Sequence, residues 1–301
     1  MSPDALKDLW LTYQSTVAFI GLNGLLALSV YTTLSCGQLS LAQSGFMALG
    51  SYTAAILTFH SGLPFALVLL AAMLVPALVA VPLGVPVLRL KGVFLAIATI
   101  GFGEVVRIFF VNLDFTNGAL GYTGVPQRTQ VWMIYAALAG ALFVLWRLRG
   151  SRAGYALEAI REDEPAARTM GIHASAYKLS MLLLGAALAG LAGALEVHFT
   201  FMVAPSTYSF SRVVDMLVYA VVGGAGAFYG PVVGAAFLTL LPEVLREVGS
   251  RVGLQPGPLR LFANGLVLLL VILFLPNGIV SLPQRFRERR EARRLRAARA
   301  G

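Results

Sequence analysis

In this chain of 301 residues, 58% are hydrophobic and 12% charged, with a mean hydropathy of +0.79. That is too apolar for an ordinary soluble domain, where about half is usual. The net charge of +9 comes from a few basic clusters, which in so apolar a chain point to membrane topology and lipid, not to nucleic acid.

Apolar stretches at 15–34, 39–59, 64–88, 92–111, 131–147, 179–200 and 259–277 each come close to the 20 or so residues that cross a hydrocarbon core about 30 Å thick as a helix. An eighth, 212–241, is longer and interrupted. These runs are continuously apolar and do not alternate, which excludes barrel strands. The expected fold class is all-α: a polytopic helical membrane protein with broken or re-entrant helices.

The opening "MSPDALKDLW" carries two acids and one base. It has no basic start and no small-residue cleavage site, so the first run is expected to be a retained span. "GQLSLAQSG" (37–45) is polar for a spanning segment. Gln38, Ser40, Gln43 and Ser44 can serve interhelical hydrogen bonds or line a translocation path. "GFGEVVR" sets Glu104 and Arg107 three apart on one helical face, as a structural ion pair or as a substrate contact. The lone Cys36 and the scattered His60, His173 and His198 provide no disulfide and no ligand set, so no metal or other cofactor is expected. The histidines read as interfacial or loop residues.

Most of the 23 lysines and arginines fall in three places: Arg89 with Lys91, the stretch from Arg147 to Lys178, and the tail "RFRERREARRLRAARAG" (285–301). Basic loops accumulate on the cytoplasmic side, so all three are expected there, and the N-terminus outside. For the span count to agree, 212–241 must begin and end on the outer side. "VVGGAGAFYGPVVGA" (221–235) allows this, because its glycines and Pro231 disfavour a continuous helix. Arg246, Arg251 and Arg260 would then stand outside, against the trend. Gly185, Ala189 and Gly193, four apart, suit close helix packing.

"GYALEAIREDEPAARTMGI" (154–172) is polar and helix-prone. Glu164 is expected to cap a short helix, with Pro165 at its first position, Ala166 and Ala167 on a smooth side, and Gly171 ending it in the left-handed conformation. A plain connecting loop and a docking helix for a soluble partner are the two readings. The segment resembles the cytoplasmic coupling loop of ABC-importer permeases, with Ala166, Ala167 and Gly171 in register and the acid one place further from the alanines than is commonest. "CGQLSLAQSGFMALGSYTAAIL" (36–57), "RLKGVFLAIATIGFGEVVR" (89–107), "LSMLLLGAALAGLAGAL" (179–195), the glycine-rich stretch at 221–235 and "LFLPNGI" (273–279) match, in order, the LivM-type permeases of branched-chain amino acid importers.

This resemblance implies a permease domain over 1–284 with a coupling loop at about 148–178, and a basic cytoplasmic tail over 285–301, in a bacterial-type inner membrane. It implies a transport subunit without catalytic residues, moving solute by alternating access. Its partners would be a second homologous permease, two ATP-binding subunits and an extracytoplasmic substrate-binding protein, besides membrane lipid. No phosphate-binding G-x-x-x-x-G-K-[ST] loop is present, so ATP hydrolysis is expected on partner subunits. The expected coupling residues are Glu158, Arg161, Glu162, Glu164, Ala166, Ala167 and Gly171. The expected path residues are Gln38, Ser40, Gln43, Ser44, Glu104, Gly223, Gly224 and Gly226. Urea, short amides or other small solutes remain alternative substrates, and a self-contained secondary transporter or channel the alternative class. An intramembrane enzyme finds no His–Glu metal motif and no placed nucleophile.

Overall fold

The structure, a computed structural model, describes residues 3–224, 226–252 and 279–281. The predicted span at 259–277, Arg260, the basic tail and most of "LFLPNGI" lie outside the described residues. The long helices are α1 (Pro3–Leu34), α2 (Gln43–His60), α3 (Phe65–Val87), α4 (Val93–Val111), α5 (Val131–Arg149) and α8 (Ala174–Thr200). Two short helices, α6 (Arg152–Glu162) and α7 (Glu164–Thr169), connect α5 to α8, and α9 (Phe210–Gly223) and α10 (Gly230–Val252) follow. Among the described residues, five helices are long and apolar enough to cross a membrane.

The two ends of this bundle differ. Arg89 and Lys91 border one groove with Glu164, Arg168 and Leu179, so the first two basic clusters stand at the same end, as the span count required. At the far end, two short strands, β1 (Tyr122–Thr123) and β2 (Met202–Val203), pair antiparallel, and the His60 ring lies 5.1 Å from that of Phe115. These strands are a small departure from an all-α reading.

α8 is the centre of the bundle. A β-carbon on its Gly185 would stand 2.5 Å from Thr32 Oγ1 of α1, one on Gly190 would collide with the Ala72 carbonyl oxygen of α3, and one on Gly193 would stand 2.5 Å from the Met47 carbonyl oxygen of α2. Ala186, Ala189, Ala192 and Ala194 are buried beside them. Lipid tails are as apolar as leucine, so membrane helices gain by close packing more than by leaving the solvent. The packing role expected of Gly185 and Gly193 holds, and Gly190 joins them.

Two predicted spans are broken. The 39–59 stretch becomes helical only at Gln43. Before it, residues 36–42 rise without helix from a turn at Gly37 (φ +76°). Leu41 N–H donates to Thr99 Oγ1 at 2.9 Å, and Ser44 meets α4 at Gly103, about 15 Å along that helix at 1.5 Å per residue. α2 therefore starts near mid-bilayer. The 212–241 stretch folds back as expected. α9 runs inward from the far end, Gly224 turns at φ +107°, and α10 returns. A β-carbon on Gly223 would collide with the Gly230 carbonyl oxygen, and one on Gly234 with that of Tyr219. The turn reaches the basic end, where Gly226 lies in one cavity with Tyr31, Arg149 and Glu158. By helix rise, Arg246 and Arg251 fall toward the far end.

Gly190→Val should destabilise the protein by about 1–3 kcal/mol through overpacking, because the obstruction is backbone. Gly140→Val, where a β-carbon meets open space, should change little. Thermal unfolding of the two purified variants checks this.

Candidate coupling face and translocation path

Local chemistry fixes the α6–α7 element. Ser151 caps α6, its Oγ accepting from Gly154 N–H at 3.3 Å. Ala156, Leu157 and Ile160 turn inward. Glu158, Arg161 and Glu162 stay exposed.

The cap of α7 differs from expectation: it is Asp163, whose Oδ1 accepts from Ala166 N–H at 3.0 Å. A shorter carboxylate on extended backbone suits the N-cap position better. Glu164 is thereby free to accept from Arg168 Nη2 at 2.6 Å and from Lys178 Nζ at 2.8 Å, the second bond fastening α7 to α8. Burial pushes the Glu164 carboxyl up, but the Lys178 hydrogen bond and charge, with Arg168 and Lys91 behind, hold it below its usual value. Gly171 (φ +82°) ends the helix as expected, with Ile172 N–H returning to the Ala167 carbonyl at 3.1 Å.

The two alanines divide. Ala167 is buried with Ile160 and Ala174, and only Ala166 faces outward, beside Pro165, Thr169 and Met170. Met170, 82% exposed, is the most prominent apolar group of this face and was not legible in the sequence.

α6 touches the first broken segment and borders a cavity with the second. A β-carbon on Gly37, at the foot of the 36–42 segment, would stand 3.5 Å from Arg161 Cα. Gly154, Leu157, Glu158 and Arg161 share a cavity with Gly226 of the α9–α10 turn.

Gln38, Ser40, Gln43 and Ser44 are all buried within the chain. Gln43 Nε2 donates to Thr33 Oγ1 at 3.4 Å, while Ser40 Oγ and Gln43 Oε1 have no partner among the described residues. Gly223 and Gly224 are buried and Gly226 exposed. The cavity that Gly226 lines holds none of the four polar side chains, so one chain does not bring the two segments to a common space there. Glu104 is paired with Arg107 at 2.7 Å and half-buried.

Arg212, which the sequence sets one turn before Asp215, pairs with Glu196 of α8 at 2.8 Å, fastening α9 to the central helix. Glu196 was missed. Its only signal was an acid within an apolar run. His198 is fully buried, with Nε2 2.8 Å from Thr58 Oγ1 and its ring 4.9 Å from that of Phe65, because the end of α2 and the start of α3 pack over it. His60 is exposed, and His173 precedes α8.

Residues 13–275 match the family described as branched-chain amino acid transport system, permease component. The chain belongs to this family. The high-affinity branched-chain amino acid transport system permease protein LivM of Salmonella typhimurium is 33% identical over 292 residues, covering 85% of this chain and 67% of the relative. Its Escherichia coli counterpart is 32% identical over the same shares. Among solved structures, PsaBC from Streptococcus pneumoniae in complex with Fab shares the fold at a TM-score of 0.53 and 16% identity, over 93% of this chain and 98% of that one. The protein is therefore a multi-pass inner-membrane permease component.

The Glu164 result sets a pH dependence for this permease. A carboxyl held below its usual value of 4.5 contributes its full stabilisation above that pH and loses it as the pH falls through the lowered value. Hydrogen exchange of the 164–171 amides should accelerate on acidification below that point. Glu164→Gln should accelerate it at neutral pH by about tenfold, the equivalent of about 1.4 kcal/mol, and flatten the acid response.

Proposed function

We propose that this chain is the membrane-spanning permease subunit of an ATP-binding-cassette importer for branched-chain or related amino acids. It pairs with a second, homologous permease and is driven by two ATP-binding subunits that dock on α7. An extracytoplasmic binding protein delivers the solute to the far end. The family and the names of the curated relatives support the substrate class.

One observation carries the mechanical reading: α6, joined to the exposed face of α7, packs at Arg161 against the foot of the 36–42 segment and lines one cavity with Gly226 of the turn between α9 and α10. A displacement of α7 by an ATPase is passed to both interruptions of the bilayer-crossing structure at once. The basic end is then cytoplasmic, with the coupling loop at about 148–178 and the 285–301 tail extending the permease domain on that side.

The path runs along the Gln38–Ser44 segment and the Gly223–Gly226 turn, at the interface with the second permease. A zwitterionic amino acid needs polar partners at every depth. Ser40 Oγ and Gln43 Oε1, buried without partners among the described residues, and the non-helical backbone beside them provide such groups without a fixed charge. Glu104, paired to Arg107, is the ionisable residue proposed for this path.

Two experiments on the reconstituted importer test this. Gly171→Val, incompatible with φ +82°, should leave ATP hydrolysis measurable and reduce coupled uptake at least tenfold. Full uptake would refute docking through α7. Because Cys36 is the lone cysteine, a Cys36→Ser, Ser40→Cys variant reports on the path. Its thiol should react with a water-soluble maleimide in one nucleotide state and be protected in the other. Protection in both states would remove Ser40 from the path.

A further inference from the structure

Trp132, Ala136, Ala139, Phe143 and Trp146 recur every three or four residues, so they share one face of α5, and all five are exposed. The two indoles, 62% and 56% exposed, stand about 21 Å apart along the axis, one at each end of the span. Tryptophan concentrates at the two bilayer interfaces, so the face between them borders acyl chains and Trp146 marks the headgroup level at the basic end.

At that level lies a groove of about 490 Å³. Trp146, Tyr155 and Phe228 form its aromatic wall, and Arg147 and Arg149, from the last turn of α5, are its cations. Both arginines are exposed, and neither is ion-paired among the described residues. Among the described residues, Glu158 is the one acid on the rim, leaving an excess positive charge. Two guanidinium forks at headgroup depth match a phosphodiester, and the aromatic wall continues into the lipid-facing side of α5. A free phosphate would use the cations and leave that wall without a role.

We propose that this groove binds an anionic phospholipid of the phosphatidylglycerol type, its phosphate held by Arg147 and Arg149 and its acyl chains lying along Phe143 and Trp146. The site abuts α6 and lies at the α9–α10 turn, but the proposal holds whatever the chain transports.

The test uses the full chain in detergent, with bound lipid counted by native mass spectrometry during titration with phosphatidylglycerol or phosphatidylcholine. Phosphatidylglycerol should bind preferentially. Arg147→Gln with Arg149→Gln should weaken it by about thirtyfold, on the usual attraction per cation near an anionic lipid, and leave phosphatidylcholine unaffected. Arg147→Lys with Arg149→Lys, which keeps the charge, should retain most of the preference and guards against a folding defect in the first variant. Equal binding of the two lipids, or no response to loss of both charges, would overturn the proposal. Inorganic phosphate or glycerol 3-phosphate binding as tightly as the lipid would assign the groove to a soluble anion instead. Complete loss of retained lipid when the chain is purified with its transport partners would assign this face to a protein contact.

Discussion

Helices in a bilayer gain little by hiding apolar surface from one another, so an arrangement of this kind depends on where backbones can approach closely. Here that place is the glycine–alanine surface of α8. Gly185, Gly190 and Gly193 admit α1, α3 and α2 to backbone contact on different sides of one helix. This triple contact keeps α1, α2 and α8 enclosed and leaves α3, α4 and α5 with most of their surface outward. The peripheral helices then offer leucine, phenylalanine and tryptophan to the bilayer, while the enclosed ones can carry polar groups.

That enclosure is what permits irregular backbone. Non-helical chain at membrane depth persists only where protein surrounds it or a water-filled space borders it. Residues 38–42 meet this condition: nearly all are buried, and Thr99 of α4 receives the Leu41 N–H. The α9–α10 hairpin meets it differently. Glycines let its two helices close on each other, and Asn23 of α1 donates to Thr239 at 3.0 Å to hold α10. The foot of the first segment packs beside Arg161 of α6, and the turn of the second borders a cavity that α6 also lines, so one amphipathic helix at the basic end adjoins both irregular segments.

The charges within the bundle are placed at joints. Glu164 with Lys178 joins α7 to α8, and Glu196 with Arg212 joins α9 to α8. Both pairs are largely enclosed, and losing one partner of such a pair strands the other charge, which costs more than the pair itself contributes. Glu104 with Arg107 lies within one turn of α4 and is more exposed, so it joins nothing. The first two pairs fix the orientation of the elements that the proposed transport cycle must move as units, while the third keeps a charged residue neutralised near the lipid boundary.

The sequence by itself determined the membrane class, the main spans, the fold-back at 221–235, the common side of Arg89, Lys91 and the 147–178 stretch, and the glycine end of α7. All of these follow from local rules: the length of an apolar run, the parity of basic loops, and the cost of glycine and proline within helices. The family was legible as well, through motifs whose order runs along most of the chain. Other features were decided by tertiary structure. That Glu164, left free by the Asp163 cap, ties α7 to α8 depended on Lys178 lying within reach of it. The inward turn of Ala167, the late start of α2, the Glu196–Arg212 pair and the burial of His198 depended on neighbours far apart in the chain. The placement of α6 beside Gly37 and across one cavity from Gly226 had no sequence signal, because it brings together three segments that no local pattern relates. Periodicity and composition report the environment of a residue's own helix. Which other helix supplies that environment is settled only when the backbones pack.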